Sequence, residues 1–371
     1  MEELISNIYT ILEDYRADED SSLFRITKEH ILEWINQFEE NSRIQILTEL
    51  ENIFKKRYCS KKSVKKFLSG IITVFKKDFG FETEQEFLQN ATFIDLQPEG
   101  KSQKIMLLLF DEIIQEKYNM KLSDCGSVSK KYCIYMDDIL CTGLTLISDI
   151  KEWSEKEFSI DKTNLQAIAD DTTTLVFAYI FIHDKNYYKK KAEMKFKISN
   201  EISSKHKMYR LIEVENNLKV TSKLDLIIPL EQNQLQAVLN YREVIIGEVD
   251  LHTSKYNKNS PNEFFRPNGV PVKEDFFTSP HGRNLLENVF LIKGIEILKK
   301  ANVSNKNMRA LGYSIPSSKN FGFGALCFTW RNVPNNAPLV FWYSGGGFIP
   351  LFKVHRGRPP VDFNLIFNPF N

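Results

Sequence analysis

Residues 1–90 carry apolar side chains at helical spacing. The segment Thr27–Phe38 places Ile31, Leu32, Trp34, Ile35 and Phe38 near one face. Ile46, Leu47, Leu50, Ile53 and Phe54 repeat the pattern, as do Val64, Phe67, Leu68, Ile71, Ile72 and Phe75. Thr83-Glu-Gln-Glu86 has the form of a capping box and predicts the start of a short helix. Three or four helices are therefore expected before the first strand.

From about Ala91 the pattern changes to short apolar runs alternating with helical periods. Strands are predicted at Thr92–Leu96, Tyr132–Met136, Thr174–Ile182 and Met208–Val214. Helices are predicted at Ser102–Lys117 and Leu144–Lys156, with a charged helical stretch from Asn186. Such alternation indicates an α/β fold with a parallel sheet. After Lys223 the order loosens. A helix near Gln234–Glu248 leads into a loop rich in Asn, Ser and Pro (Asn257–Val270). The helix Arg283–Lys300 is apolar almost all round and should be buried. Glycine- and aromatic-rich strands are expected around Gly322–Trp330 and Leu339–Phe352. The expected organisation is a helical region (1–90), an α/β core (91–225) and a C-terminal α+β region (226–371).

Charge sharpens this division. The 371 residues carry 49 Lys+Arg and 48 Asp+Glu, a net of +1. From Phe276 onward there are 11 basic residues against three acids, whereas the preceding part has 38 against 45. The chain is a roughly neutral body with a basic C-terminal quarter, not a general polyanion coat. The cluster Lys55, Lys56, Arg57, Lys61, Lys62, Lys65 and Lys66 offers a nucleic-acid contact, but acids flank it on both sides and favour a solvated helix end and linker. At 42% hydrophobic residues the chain can bury a core. No apolar run approaches the ~18 residues of a membrane span, and the N-terminus is acidic, so a cytoplasmic location is expected. Five cysteines without CxxC spacing fit reduced thiols better than disulfides or zinc.

The segment that carries chemistry is Tyr132-Cys-Ile-Tyr-Met-Asp137-Asp138-Ile-Leu-Cys-Thr142-Gly143-Leu-Thr145. An apolar strand ends in two carboxylates, and a short loop then enters a helix. Free N–H groups at a helix N-terminus bind phosphate. Gly143 allows close backbone approach, and Thr142 and Thr145 add hydroxyls. Carboxylates at the carboxyl end of a strand can accept hydrogen bonds from sugar hydroxyls, at the edge where open α/β sheets bind ligands. Tyr135-Met-Asp-Asp138 also occurs in reverse-transcriptase palms, but a second strand should follow there, whereas a helix is predicted here. Pro98-Glu-Gly100-Lys101-Ser102 lies between the first strand and its helix and offers a flexible backbone, a cation and a hydroxyl. Asp95 stands where a nucleotide P-loop needs its first glycine, which excludes that reading.

The Asp137–Thr145 segment resembles the phosphoribosyl-pyrophosphate motif of type I phosphoribosyltransferases, with Leu144 replacing the usual small residue or lysine. Trp34-Ile-Asn-Gln-Phe38, Leu311-Gly-Tyr, Phe321-Gly-Phe-Gly324-Ala, Arg331-Asn-Val-Pro-Asn335-Asn and Pro350-Leu-Phe352 extend the resemblance to phosphoribosyltransferase-like effectors of bacterial conflict systems. That resemblance implies a parallel-sheet core and a toxic enzyme of antiviral defence. It implies phosphoribosyl pyrophosphate as donor with Mg2+, and a partner such as a retron reverse transcriptase with its nucleic acid. A homo-oligomer is also allowed. It assigns Asp137 and Asp138 to the ribose, Ile139, Leu140, Cys141, Thr142, Gly143, Leu144 and Thr145 to the 5′-phosphate, and Gly100, Lys101 and Ser102 to pyrophosphate. His183, Trp330 and Arg331 are candidates for the acceptor side, with His281, Arg283, Arg309, Tyr313 and Trp342 as further basic and aromatic candidates. The competing expectation is a non-catalytic subunit that senses a ribose-phosphate or binds nucleic acid, for which Arg331, Arg356 and Arg358 are the test positions.

Overall fold

Four parallel strands form the central sheet in the order Ala91–Phe93, Tyr132–Leu140, Thr174–His183, Lys207–Val214. The computed structural model describes residues 1–19, 22–255 and 260–354, so Arg356 and Arg358 lie outside the described residues. Within the sheet Ile134 pairs with Val176 and Asp137 with Tyr179. The two inner strands are buried along nearly their whole length, which is why they read as continuous apolar runs rather than alternating ones.

Both faces of the sheet are covered. One packs Ile134, Met136, Val176, Ala178 and Ile180 against the helices Lys61–Phe79 and Ser102–Tyr118. The other packs Cys133, Tyr135, Leu175, Phe177 and Tyr179 against Leu144–Glu155 and Asp184–Lys197. Two apolar faces with helices on each side give the predicted α/β fold.

A third core joins the N-terminal helices to the segment 276–352. The helices Glu2–Leu12, Lys28–Ile35 and Glu40–Arg57 share it with Pro280–Ala301 and residues 337–352. Trp34 Nε1 donates to the Val340 carbonyl at 2.9 Å. Gln37 clasps the backbone of Ile349 twice, donating to its carbonyl at 2.8 Å and accepting from its amide at 2.9 Å. Trp34 also stacks edge-on against Phe290. These bonds span more than 300 residues of sequence and are buried or half-buried, so they fix the N-terminal helices to residues 340–349.

The structure departs from the sequence reading in three places. Among the described residues five α-helices precede the central-sheet strand Ala91–Phe93, and after the third of them comes an unexpected two-residue strand, Tyr58–Cys59, pairing with Phe328–Thr329. The expected strands at Gly322–Trp330 and Leu339–Phe352 are mostly irregular, with only Phe328–Thr329 as strand and Leu339–Trp342 as a short helix among the described residues. Gly322, Gly324, Gly346 and Gly347 adopt positive φ, and Pro334, Pro338 and Pro350 cannot donate to a ladder, so the chain turns instead of extending. Within the lysine-rich stretch Arg57 departs from the expected solvated end, being buried and paired with Asp225 at 2.9 Å, whereas Lys55, Lys56, Lys62 and Lys66 are exposed as expected, and Lys61 and Lys65 pair with Asp18 and Glu112. Among the described residues no helix is long and apolar enough to cross a membrane.

Candidate active site

Two helices start at the carboxyl edge of the sheet without a side-chain cap. Ser102–Tyr118 is preceded by Lys101 and Leu144–Glu155 by Gly143, where Thr27, Ser60, Thr83, Thr163, Ser199 and Ser279 cap other helices. Their first N–H groups are left for another acceptor, and both helix dipoles present positive ends there. Gly143 sits at φ +69°, in the left-handed region, and a Cβ there would lie 2.6 Å from Lys190 Cγ.

Between these termini lie the acids. The strand Tyr132–Leu140 is longer than predicted and runs through both of them. Asp137 Oδ1 accepts from Ser102 Oγ at 2.7 Å and from the Asp138 amide at 2.9 Å. Asp138 Oδ2 accepts from Asn332 Nδ2 at 2.9 Å. Burial, then the neighbouring Asp138 charge, pushes the Asp137 carboxyl up to about 8. Burial raises Asp138 as well, opposed by the bonds from Asn332 and Ser102.

A cleft of about 1230 Å³ opens over this pair. Gly100, Lys101 and Ser102 form one wall, and Asp137, Asp138 and the loop Ile139–Thr145 form the floor and the opposite wall. Asn307, Met308 and residues 313–316, 329–336 and 342–344 line the rest of the cleft. The loop before Ser102 is folded back by Gln103, whose Oε1 accepts from the amides of Leu96 and Gln97 at 3.1 Å each. Gln97 Nε2 in turn donates to Tyr135 Oη and to Asp149, both at 3.0 Å, tying the loop to the central strand and the second helix.

The structure thus brings every predicted donor-side residue to one cleft. It treats the acceptor candidates unequally. Tyr313, Trp330, Arg331 and Trp342 border the same cleft. Trp330 is 2% exposed and presents little surface, and Arg331 pairs with Asp18 at 3.0 Å and Glu19 at 3.2 Å. His183 is fully buried and lies behind the loop rather than in the cleft, with Nδ1 2.8 Å from the Leu140 carbonyl and its pKa lowered to about 4 by burial. Arg283 is buried against Glu274, Glu287 and the carbonyls of Leu224 and Leu226, and Arg309 against Ser318 and Asn320. Neither lines the cleft, and nor does His281. Asn332, Gln97 and Asp149 were not singled out as site residues from sequence. The sequence signal for Asn332 was its place in Arg331-Asn-Val-Pro-Asn335-Asn.

The groups bonded to Asp137 and Asp138 are a hydroxyl and amides. Two carboxylates are too few for a protein cage around a hard cation and fit an ion that keeps its own waters and ligand oxygens, as Mg2+ does.

No similar curated protein and no similar solved structure was found. A family model, PRTase-CE, matches residues 31–354, from within the second helix through the segment that closes the cleft. With the motif, the parallel sheet and the cleft agreeing with that match, the chain belongs to the PRTase-CE family, a phosphoribosyltransferase-like family of the conflict-effector type.

Proposed function

We propose that the cleft binds phosphoribosyl pyrophosphate with Mg2+ and transfers its phosphoribosyl group to a nucleobase, nucleotide or nucleic-acid acceptor, or to water. The observation that carries this reading is the convergence of an acid pair with two uncapped helix N-termini on one cleft. A donor of this kind has two anionic ends and a sugar between them. The amides of Leu144–Leu146 with Thr142 and Thr145 suit the 5′-phosphate, and those following Lys101 suit the pyrophosphate. Asp137 and Asp138 lie between the two and suit the ribose hydroxyls.

In the reaction the bond from ribose C1 to pyrophosphate breaks, the electron pair leaves with pyrophosphate, and the acceptor atom forms a new bond at C1. Positive charge grows on the ring, and a carboxylate of the pair opposes it in a low-dielectric site. Mg2+, when bound, neutralises the departing pyrophosphate. Asn332 and Ser102 hold the carboxylates in place, so that little reorganisation accompanies the charge development. Tyr313 and Trp342, whose rings stack with centroids 5.9 Å apart, border the region where an acceptor base would stack.

The biological reading is a toxic effector of antiviral defence acting in the cytoplasm, with a sensor such as a retron reverse transcriptase as partner. Incubation of the purified chain with donor and Mg2+, alone and with RNA or nucleotides, followed by mass spectrometry, tests it. Donor consumption with free ribose phosphate or a phosphoribosylated product is expected. An unchanged donor pool under all these conditions would overturn the enzymatic reading.

A further inference from the structure

The floor of the cleft rests on a second cluster that the phosphoribosyl chemistry does not use. Cys141, in the phosphate loop, meets His183, at the end of the neighbouring strand, and Cys327, beside the two-residue strand Phe328–Thr329. Their ligand atoms lie within 4.8 Å of one another, and all three residues are buried, at 6%, 0% and 0% exposure. Among the described residues this is the group of His, Cys, Asp and Glu side chains placed to share a metal ion.

The tautomer of His183 supplies an independent observation. Its Nδ1 is 2.8 Å from the Leu140 carbonyl oxygen, which can only accept, so Nδ1 carries the hydrogen. Nε2 therefore holds an unshared lone pair. It is buried and has no hydrogen-bond partner among the described residues, an arrangement that is costly unless something accepts that lone pair. A backbone carbonyl on one ring nitrogen that frees the other is also the usual way a metal-binding imidazole is oriented.

We infer that Cys141, Cys327 and His183 Nε2 form a binding site for Zn2+. Two thiolates and an imidazole are a soft donor set that favours zinc over the hard Mg2+ of the neighbouring cleft. Two thiolate charges balance the dication, so the buried site is neutral and avoids the penalty of an isolated buried ion. Zn–S bonds of about 2.3 Å and Zn–N bonds of about 2.0 Å require ligand atoms roughly 3.5–3.8 Å apart, so the cluster has to contract by only about 1 Å. Three protein ligands leave a fourth position. The metal would tie the phosphate loop to the adjacent strand and to the segment that carries Asn332, and so brace both sides of Asp138 from below. The inference does not depend on which ligand fills the cleft.

The test uses the full chain, purified reduced and dialysed against micromolar zinc. Elemental analysis is expected to find about one zinc per chain, and cobalt loading to produce thiolate-to-metal charge-transfer absorption. Cys141→Ser and Cys327→Ser should each lower zinc content at least tenfold, whereas Cys133→Ser, outside the cluster, should leave it unchanged. Wild-type protein without zinc and without the cobalt bands would overturn the site, whether or not the cysteine variants fold. So would zinc content unaffected by the Cys141→Ser/Cys327→Ser pair, or a freshly purified, metal-free chain two hydrogens lighter through a Cys141–Cys327 disulfide.

Discussion

Asn332 donates from Nδ2 to Asp138 Oδ2 at 2.9 Å, across 194 residues of sequence. The bond links the C-terminal region directly to the acid pair of the sheet, and it opposes the burial that raises the Asp138 carboxyl. Asn332→Ala removes a hydrogen bond to a charged group, worth ~1.5–3 kcal/mol. Donor affinity, read by calorimetry with Mg2+, is expected to fall about tenfold or more, while the circular dichroism of the fold is retained. Unchanged affinity would show that Asn332 only packs.

Asp137 yields a pH prediction. Its folded carboxyl is raised to about 8 by burial and by Asp138, well above the unfolded value near 3.8. A raised folded value means that the stabilising contribution is fully present below the unfolded pKa and is lost as pH rises through the folded one. The ligand-free protein should therefore lose stability between about pH 4 and pH 8 through Asp137. Asp137→Asn, which keeps the shape and cannot ionise, should melt higher than wild type near pH 8, with the gap narrowing near pH 5. The same variant should lose donor turnover, so stability and activity would move in opposite directions.

Gly143→Ala tests the loop. Its φ of +69° strains any L side chain, and the added methyl would meet Lys190. Displacing the flexible lysine is easy, but the backbone strain of roughly 1–2 kcal/mol remains. The fold should persist with a small drop in melting temperature, while the donor KM rises severalfold because the Leu144 and Thr145 amides shift.

The clasp between Gln37 and Ile349 makes a separate prediction about stability. Gln37→Ala leaves the Ile349 amide and carbonyl without their half-buried partners. A loss of ~1–3 kcal/mol is expected in denaturant unfolding. If the C-terminal segment also loosens the cleft wall, donor affinity should fall with it, which the same titration would detect.

How far the sequence reveals this molecule depends on the range of the interactions involved. The parallel sheet was legible because each of its inner strands is a continuous apolar run bounded by turns, a local signal. The gathering of Asp137–Thr145 and Gly100–Ser102 at one cleft was legible for the same reason: the former are consecutive, and the latter lie between a predicted strand and its helix. The acceptor side was not. Arg283 and Arg309 look like free basic groups in sequence, but Glu274, Glu287 and loop carbonyls enclose them. His183 sits at the right sheet edge yet turns into the core toward Leu140. The cysteine cluster was invisible to spacing rules, since Cys141, His183 and Cys327 come from three distant segments. The C-terminal strands failed because aromatic and glycine content marks packing and turning as readily as extension.

Asp137, Asp138 and the two helix N-termini are proposed above to form one binding site for a phosphoribosyl donor. Isothermal titration of the purified chain with phosphoribosyl pyrophosphate and Mg2+ tests it most directly, comparing wild type with Asp138→Asn. The account predicts saturable one-to-one binding by wild type and at least a tenfold loss in the variant. No binding by folded wild-type protein, or equal binding by both, would contradict it.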